Sequence, residues 1–531
     1  MSNGTASESD PKSPPLSKTD PPALKKLAPY WYPYTTMAKE RWLGREILEI
    51  VSTEFRDRSM EYYRYALESG VTTINGKVAS PDTVVRNGDR IENVVHRHEP
   101  PVTSTPVKIV LYDKERDFLV IDKPGSIPVH ASGRYYRHSL VEILHNEFHF
   151  PKIYTINRLD RLTSGLMIIP LNADLARSLS AEFVNGLVRK EYVARCRGEF
   201  PATEITCEEP LLTVDRQMGL NIVHPDGKVR AALAMPRKSG GYNSLQHAKT
   251  IFNRLHYDPA TDTSVLRCRP MTGRSHQIRV HLQYLGHPIA NDPVYSEERI
   301  WGAALGKGGV DVIPCEHRAA PAPPPHLLSD DSPEALNLKP SDDTGSPIPP
   351  DLANEGYEKS RMKLLPRETG HDIGMGSPVP LSSEAVGVII RLRNMKDEDE
   401  DWSRWRDVVF RAKGTLTPKD IPRAPLPPQN RRKKGGPSLP QTPIPRDTSL
   451  APQLTQAEAL TRLSQMEAPP PAMDPVTGTL YCSECYLPLH PDPKPEKLYI
   501  FLHALRYTTS LGCFETDMPE WAAEGWKWDQ A

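Results

Sequence analysis

The sequence predicts an α+β fold built on antiparallel sheet. Three observations carry that reading. Short apolar or alternating runs dominate residues 105–302, few stretches show helical spacing, and Gly, Asn or Pro punctuates the gaps between runs.

The elements follow in order. Between residues 42 and 95, Ile47, Leu48 and Val51 recur at helical spacing, then Tyr62, Tyr65 and Ala66, and strands come after them. Asn75-Gly76 is a hairpin turn signal and Gly88-Asp89 marks another turn. Residues 107–112 and 118–122 are apolar runs about a turn apart, ended by Lys123-Pro124-Gly125, which predicts an antiparallel hairpin. Leu175, Leu179 and Phe183 repeat every four residues and predict one buried helical face. Residues 190–197 alternate, with Tyr192, Ala194 and Cys196 on one side and Glu191, Val193, Arg195 and Arg197 on the other, as a strand requires. Residues 264–269 read as a strand and Thr272-Gly273 as a turn. A helix is expected from Ser275, with Ile278, Leu282 and Leu285 inward and Gly286 at its end.

Composition divides the remainder. Proline stands at 55 of 531 residues, about twice its usual share of roughly 5%. Much of it falls in residues 303–380 and 413–475, which mix Pro, Ser, Asp and Ala without apolar periodicity and are expected to be disordered, as are residues 1–30. Between the two tracts, residues 381–412 carry the run Val386 to Leu392 and the Trp402/Trp405 pair, a short helical element expected to dock on the core. Residues 476–531 regain apolar residues at Leu498-Tyr499-Ile500-Phe501-Leu502. So short a piece buries too little surface to stand alone, and it is expected to complete the domain at residues 105–302.

A net charge of -1 gives no global attraction to nucleic acid, so RNA binding would need local patches. One candidate is the acid-free stretch 267–291, with Arg267, Arg269, Arg274, Arg279, His276, His281 and His287. Seven scattered cysteines fit reduced thiols better than a disulfide framework. The first residues are polar and acidic, without a signal or transit pattern, and no apolar run nears the ~18 residues that cross a bilayer. The expectation is a soluble monomer of the cytoplasm, with a nuclear option through Arg431-Arg432-Lys433-Lys434 and the mitochondrion left open.

Chemistry concentrates in Arg158-Leu159-Asp160-Arg161-Leu162-Thr163-Ser164-Gly165, a carboxylate between arginines just before an apolar strand. Neighbouring arginines favour the ionised acid. An isolated R-x-D is as readily a structural ion pair. Two further segments change that balance: Lys190-Glu191-Tyr192-Val193-Ala194, and Thr272 through Leu282 with its His276-Gln277-Ile278-Arg279 core. In order and spacing the three resemble the RluA-type pseudouridine synthases, over roughly half the chain. The eukaryotic branch acting on the tRNA anticodon loop is similar also through Val95-His96-Arg97-His98-Glu99-Pro100-Pro101, Ile121-Asp122-Lys123-Pro124 and Gly286-His287-Pro288-Ile289-Ala290-Asn291-Asp292-Pro293. Asn157 departs from the His of many members.

The resemblance implies a pseudouridine synthase fold with a mixed, largely antiparallel central sheet at residues 105–302. It also implies an S4-like α/β RNA-binding module at residues 31–104. The module holds 10 basic against 11 acidic residues from position 38 to 100, so its RNA grip would rest on one face, through Arg45 and Arg58 with Arg41, Arg56 and Arg64. The implied activity isomerises uridine in tRNA or another structured RNA, at position 32 of the anticodon loop, with no cofactor and no metal. Asp160 would attack the sugar or take a ribose proton, Arg279 would keep it charged, and Tyr192 would stack on the base and accept the C5 proton. Arg158 would help extrude the nucleotide, and Arg161, Arg267, Arg274 and His276 would bind RNA.

Competing readings are weaker. Cys482-Ser483-Glu484-Cys485 with His490 and His503 fits no common zinc spacing. A zinc deaminase, fused in some fungal relatives, needs H-x-E with P-C-x-x-C. Here His145-Asn146-Glu147 stands far from Cys482, which follows Tyr481. A non-catalytic RNA-folding factor would have no use for a bare carboxylate facing a polyanion.

Overall fold

A nine-stranded and a four-stranded sheet organise the chain in a computed structural model that describes residues 24–55, 60–68, 70–215, 218–225, 248–314, 377, 381–398, 482 and 492–528. Most of residues 1–30, 303–380 and 413–475, as well as Trp402 and Trp405, lie outside the described residues.

The N-terminal part runs β1 (Leu24–Lys25), β2 (Tyr30–Met37), α1 (Ile47–Glu54), α2 (Met60–Glu68), β3 (Thr72–Ile74), β4 (Lys77–Val78), β5 (Arg90–Arg97) and β6 (Val102–Thr103). Strand order in its sheet is β2-β5-β3-β4. Asn75 and Gly76 both take positive φ, 55° and 79°, and turn β3 into β4 with Ile74 opposite Lys77. Two consecutive left-handed residues match the twist of a tight hairpin. Trp42, Ile47, Ile50, Leu67 and Val85 are fully buried between helices and sheet. Glu99 ties this module to the next. Its carboxylate accepts the backbone N–H groups of Tyr136, Arg137 and His138 at 2.8–3.0 Å and the Tyr30 hydroxyl. Burial opposes its charge, yet these donors hold its pKa below the ordinary value.

The larger sheet collects β7 (Lys108–Asp113), β8 (Phe118–Lys123), β9 (Ser164–Pro170), β10 (Arg189–Arg197) and β11 (Ile205–Cys207), with α3 (Leu140–Asn146) and α4 (Ala173–Val184) in the connections. A separate ribbon, β12 (Leu211–Asp215) and β13 (Leu220–Val223), precedes β14 (Thr250–Asp258), β15 (Thr263–Pro270), α5 (Gln277–Tyr284), α6 (Glu298–Trp301) and α7 (Ser383–Glu398). The chain ends with β16 (Leu502–Thr509) and β17 (Gly512–Glu515). Strand order is β11-β14-β15-β10-β16-β9-β8-β7, with β17 on β16. All pairs are antiparallel except β16 with β9, so the sheet is mixed and mostly antiparallel.

Phe118 to Ile121 and Leu166 to Ile169 are fully buried, because β8 and β9 are covered on both faces, as continuous apolar strands require. Each such side chain contributes roughly 1.5–3 kcal/mol through burial. β16 enters the middle of the sheet from the far end of the sequence. Gly165 makes that possible: its φ is 114°, and a Cβ there would overlap the Ala504 carbonyl oxygen and amide nitrogen.

Strand alternation does not separate a wet from a dry face in β10. Arg195, expected opposite Tyr192, is wholly buried, donating to the Trp521 and Ala523 carbonyls and the Thr263 hydroxyl with Asp258 at 3.5 Å. Helix α7 buries Val388, Ile389 and Leu392 with Val280 of α5, Tyr295, Ile300 and Trp301, and Arg393 bridges to Asp215 at 2.7 Å. His503, weighed above as a zinc ligand, lies on β16 and hydrogen-bonds Ser164 and Thr516, both at 2.8 Å. Cys485 and His490 lie outside the described residues. Among the described residues no helix is long and apolar enough to cross a membrane.

Candidate active site

Asp160 ends an irregular segment that reaches β9 through a turn closed by the Thr163 N–H on the Asp160 carbonyl, 3.1 Å. Lys123, at the end of β8, sits under this segment. Its buried ammonium donates to the carbonyls of Pro124, Ile127 and Arg161 at 2.9, 2.8 and 3.4 Å. Three carbonyls satisfy all three donors of a lysine and pin the backbone next to the acid. Burial lowers this lysine to about 7, with Asp160 acting in the opposite direction.

Arg279 projects inward from α5. Its Nη1 lies 3.0 Å from Asp160 Oδ2, while Nε and Nη2 grip Asp292 at 2.6 and 3.0 Å. Asp292 Oδ1 further accepts the backbone N–H groups of Val294 and Tyr295. A fork held bidentately by one acid presents its remaining edge to a second in a fixed direction. Asp160 keeps 22% of its side chain exposed against 6% for Arg279, so of the pair the acid is the one that solvent reaches.

His276 takes a left-handed conformation, φ 56°, immediately before α5. Its Nε2 is 3.6 Å from Asp160 Oδ2 and its Nδ1 2.9 Å from the Tyr295 hydroxyl. Burial opposes the Asp160 charge, yet His276 and Arg279 together hold its pKa below the ordinary value. His276 is itself pushed down to about 4 by burial and by Arg279, so near neutrality it is uncharged and Arg279 supplies the stabilising charge. Arg279 is raised: Asp292 and Asp160 outweigh its burial.

Tyr192 stands on β10, with its hydroxyl 2.6 Å from that of Tyr507 on β16. Burial pushes Tyr192 up to about 12 and Asp160 adds to the shift, so the phenol is neutral at rest. Asn157, the residue that departs from the wider family pattern, lies next to the phenol pair, where it acts to lower the Tyr507 pKa against a larger rise caused by burial.

The structure thus brings Asp160, Arg279 and His276 together, with Tyr192 near enough to feel the acid's charge. Arg158 is exposed at the rim. The Arg161 guanidinium lies 5.3 Å from the Tyr135 ring centre. The acid-free stretch is not one basic face: Arg267 and Arg274 are exposed, Arg269 bridges to Glu204 at 2.6 Å, and Arg279 points inward. Arg45 lies in the N-terminal module on Glu49 and Thr53, and Arg58 lies outside the described residues. Asp292, Tyr295 and Tyr507 were not singled out from the sequence. Asp292 lay within a quoted segment but had no visible partner there, and Tyr507 gives no local signal at all.

Residues 117–284 match the family described as RNA pseudouridylate synthase. The yeast tRNA pseudouridine(32) synthase, mitochondrial, is 47% identical over 54% of this chain, and the match spans 58% of that relative's length. The yeast tRNA pseudouridine(31) synthase is 32% identical over 51% of this chain and 72% of its own. The human pseudouridylate synthase RPUSD2 is 32% identical over 95% of this chain and 75% of its own. Similarity carried across nearly the whole sequence and three quarters of the human relative, with the acid and its arginine meeting inside the matched region, means that the chain belongs to the RNA pseudouridylate synthase family.

Proposed function

We propose that this chain isomerises uridine to pseudouridine in tRNA, at position 32 of the anticodon loop, with Asp160 as the catalytic carboxylate. The carrying observation is the Asp160–Arg279 contact at 3.0 Å, which keeps a carboxylate ionised at a partly open position. The reaction breaks C1'–N1, turns the uracil and joins C5 to C1', and in net terms it moves one hydrogen from C5 to N1. A carboxylate serves this by attacking C1' or by taking a ribose proton, as acids do in glycoside chemistry. The Tyr192 ring stacks on the base. Being neutral, its hydroxyl can take the C5 proton only as it releases its own, which in net terms balances the proton that N1 gains, and the equally neutral Tyr507 hydroxyl at 2.6 Å holds the Tyr192 hydroxyl in place for that exchange.

Arg158, exposed beside the cleft, helps displace the nucleotide from its loop, a cost of a few kcal/mol that a single-stranded loop reduces. Arg161, Arg267, Arg274 and His276 supply contacts to RNA, and the N-terminal module acts as an S4-like appendage gripping it through Arg45 and Arg58. The chain works as a monomer. The name of the 47% identical yeast relative favours the mitochondrion, which the sequence leaves open, over the cytoplasm and the nucleus, and imaging of a tagged full chain decides among the three. Position-resolved pseudouridine mapping on tRNA incubated with the purified chain tests the reading: signal at position 32 supports it, and none in any tRNA rejects it.

A further inference from the structure

Among the described residues, one group of three metal-binding side chains converges: His96, His98 and Cys482. None belongs to the catalytic cleft. His96 is on β5 and His98 just beyond it, two residues apart, the spacing that sends side chains to one face of a strand. Cys482 comes from the other end of the sequence and is buried against the core of the N-terminal module.

The distances carry the argument. His96 Nδ1 lies 3.2 Å from His98 Nε2 and 3.6 Å from Cys482 Sγ, and all three donor atoms lie within 4.8 Å of one another. A tetrahedral zinc with bonds of ~2.0–2.1 Å to nitrogen and ~2.3 Å to sulfur sets edges of about 3.3 Å N···N and about 3.6 Å N···S. Hydrogen bonding alone accounts for this poorly. His96 Nδ1 has one proton or one lone pair, yet it faces both an imidazole nitrogen and a sulfur. His96 and Cys482 are 6% and 7% exposed, so water screens neither. Imidazole and thiolate together, without carboxylate, are a donor set that zinc favours.

We propose that His96, His98 and Cys482 bind a structural zinc ion. The ion clasps β5 of the N-terminal module to the segment that leads into β16, the strand lying between β9 and β10. It thereby fastens the insertion of Tyr507 from outside the cleft and takes no part in the reaction. The metal replaces the thiol proton of Cys482, which is released to solvent.

The test uses the full chain, purified reduced and without a polyhistidine tag, with metal measured by mass spectrometry. The expected result is about one zinc per chain, lost in Cys482→Ser and in His98→Ala and retained in Cys513→Ser, which removes an exposed cysteine. If the site variants fail to fold, cobalt(II) added to chelator-treated wild type should give thiolate-to-cobalt absorption that zinc chloride abolishes. Wild-type protein without zinc and without that absorption overturns the proposal, and so does zinc that survives Cys482→Ser.

Discussion

Arg279 holds Asp292 with two nitrogens and Asp160 with the third, so a single guanidinium ties a fully buried acid to one that is partly exposed. The buried pair fixes the arginine, and the arginine orients the acid. Replacing Arg279 with Met leaves Asp292 buried without its cation, which costs on the order of 3–5 kcal/mol. A lower melting temperature together with loss of product is expected. A variant that melts like wild type would show that Asp292 needs no cation.

Asp292→Asn separates the two roles. Arg279 keeps its contact with Asp160 but loses its charged anchor, so turnover should fall more than tRNA affinity does. Single-turnover rates and filter binding measure the two; equal losses in both would remove the positioning role.

Tyr507→Phe deletes the hydroxyl that faces Tyr192 and leaves the ring core intact. Pseudouridine formation should slow at least tenfold while the melting temperature moves little. Unchanged turnover would mean that Tyr192 works without this hydrogen-bond partner.

His276, His281 and His503 are each pushed down to about 4, chiefly by burial. Between their ordinary value and 4 the unfolded chain binds more protons than the folded one. Stability is therefore full near neutrality and falls as pH drops from ~6.5 toward 4, by up to about 1.4 kcal/mol per unit for each group. The lowered carboxyls of Asp160, Asp292 and Glu99 extend the loss below the ordinary carboxylate range. Melting curves from pH 7 to 5 check this, and a flat profile contradicts it.

What was legible in the sequence follows from locality. Asp160 and the strand after it are contiguous, the alternation at Tyr192 identified a strand, and the Asn75-Gly76 turn carries its own backbone signal. Non-local pairings left no trace of that kind. β16 reaches the sheet centre because Gly165 lets Ala504 approach, and no periodicity near Tyr507 says which strands it will join. The sequence ties Arg279 to Asp160 only through the family resemblance, and its grip on Asp292 leaves no local signal, because neither acid falls within the acid-free stretch 267–291. The convergence of His96 and His98 on Cys482 is hidden for the same reason, 386 residues separating the ends of the Cys482–His96 contact.

The most direct test of the central claim compares Asp160→Ala with wild type on the same tRNA, scoring pseudouridine by nucleoside mass spectrometry and RNA affinity in parallel. The account expects no product from the variant and binding within a few fold of wild type. Pseudouridine formed by Asp160→Ala at a comparable rate would contradict it.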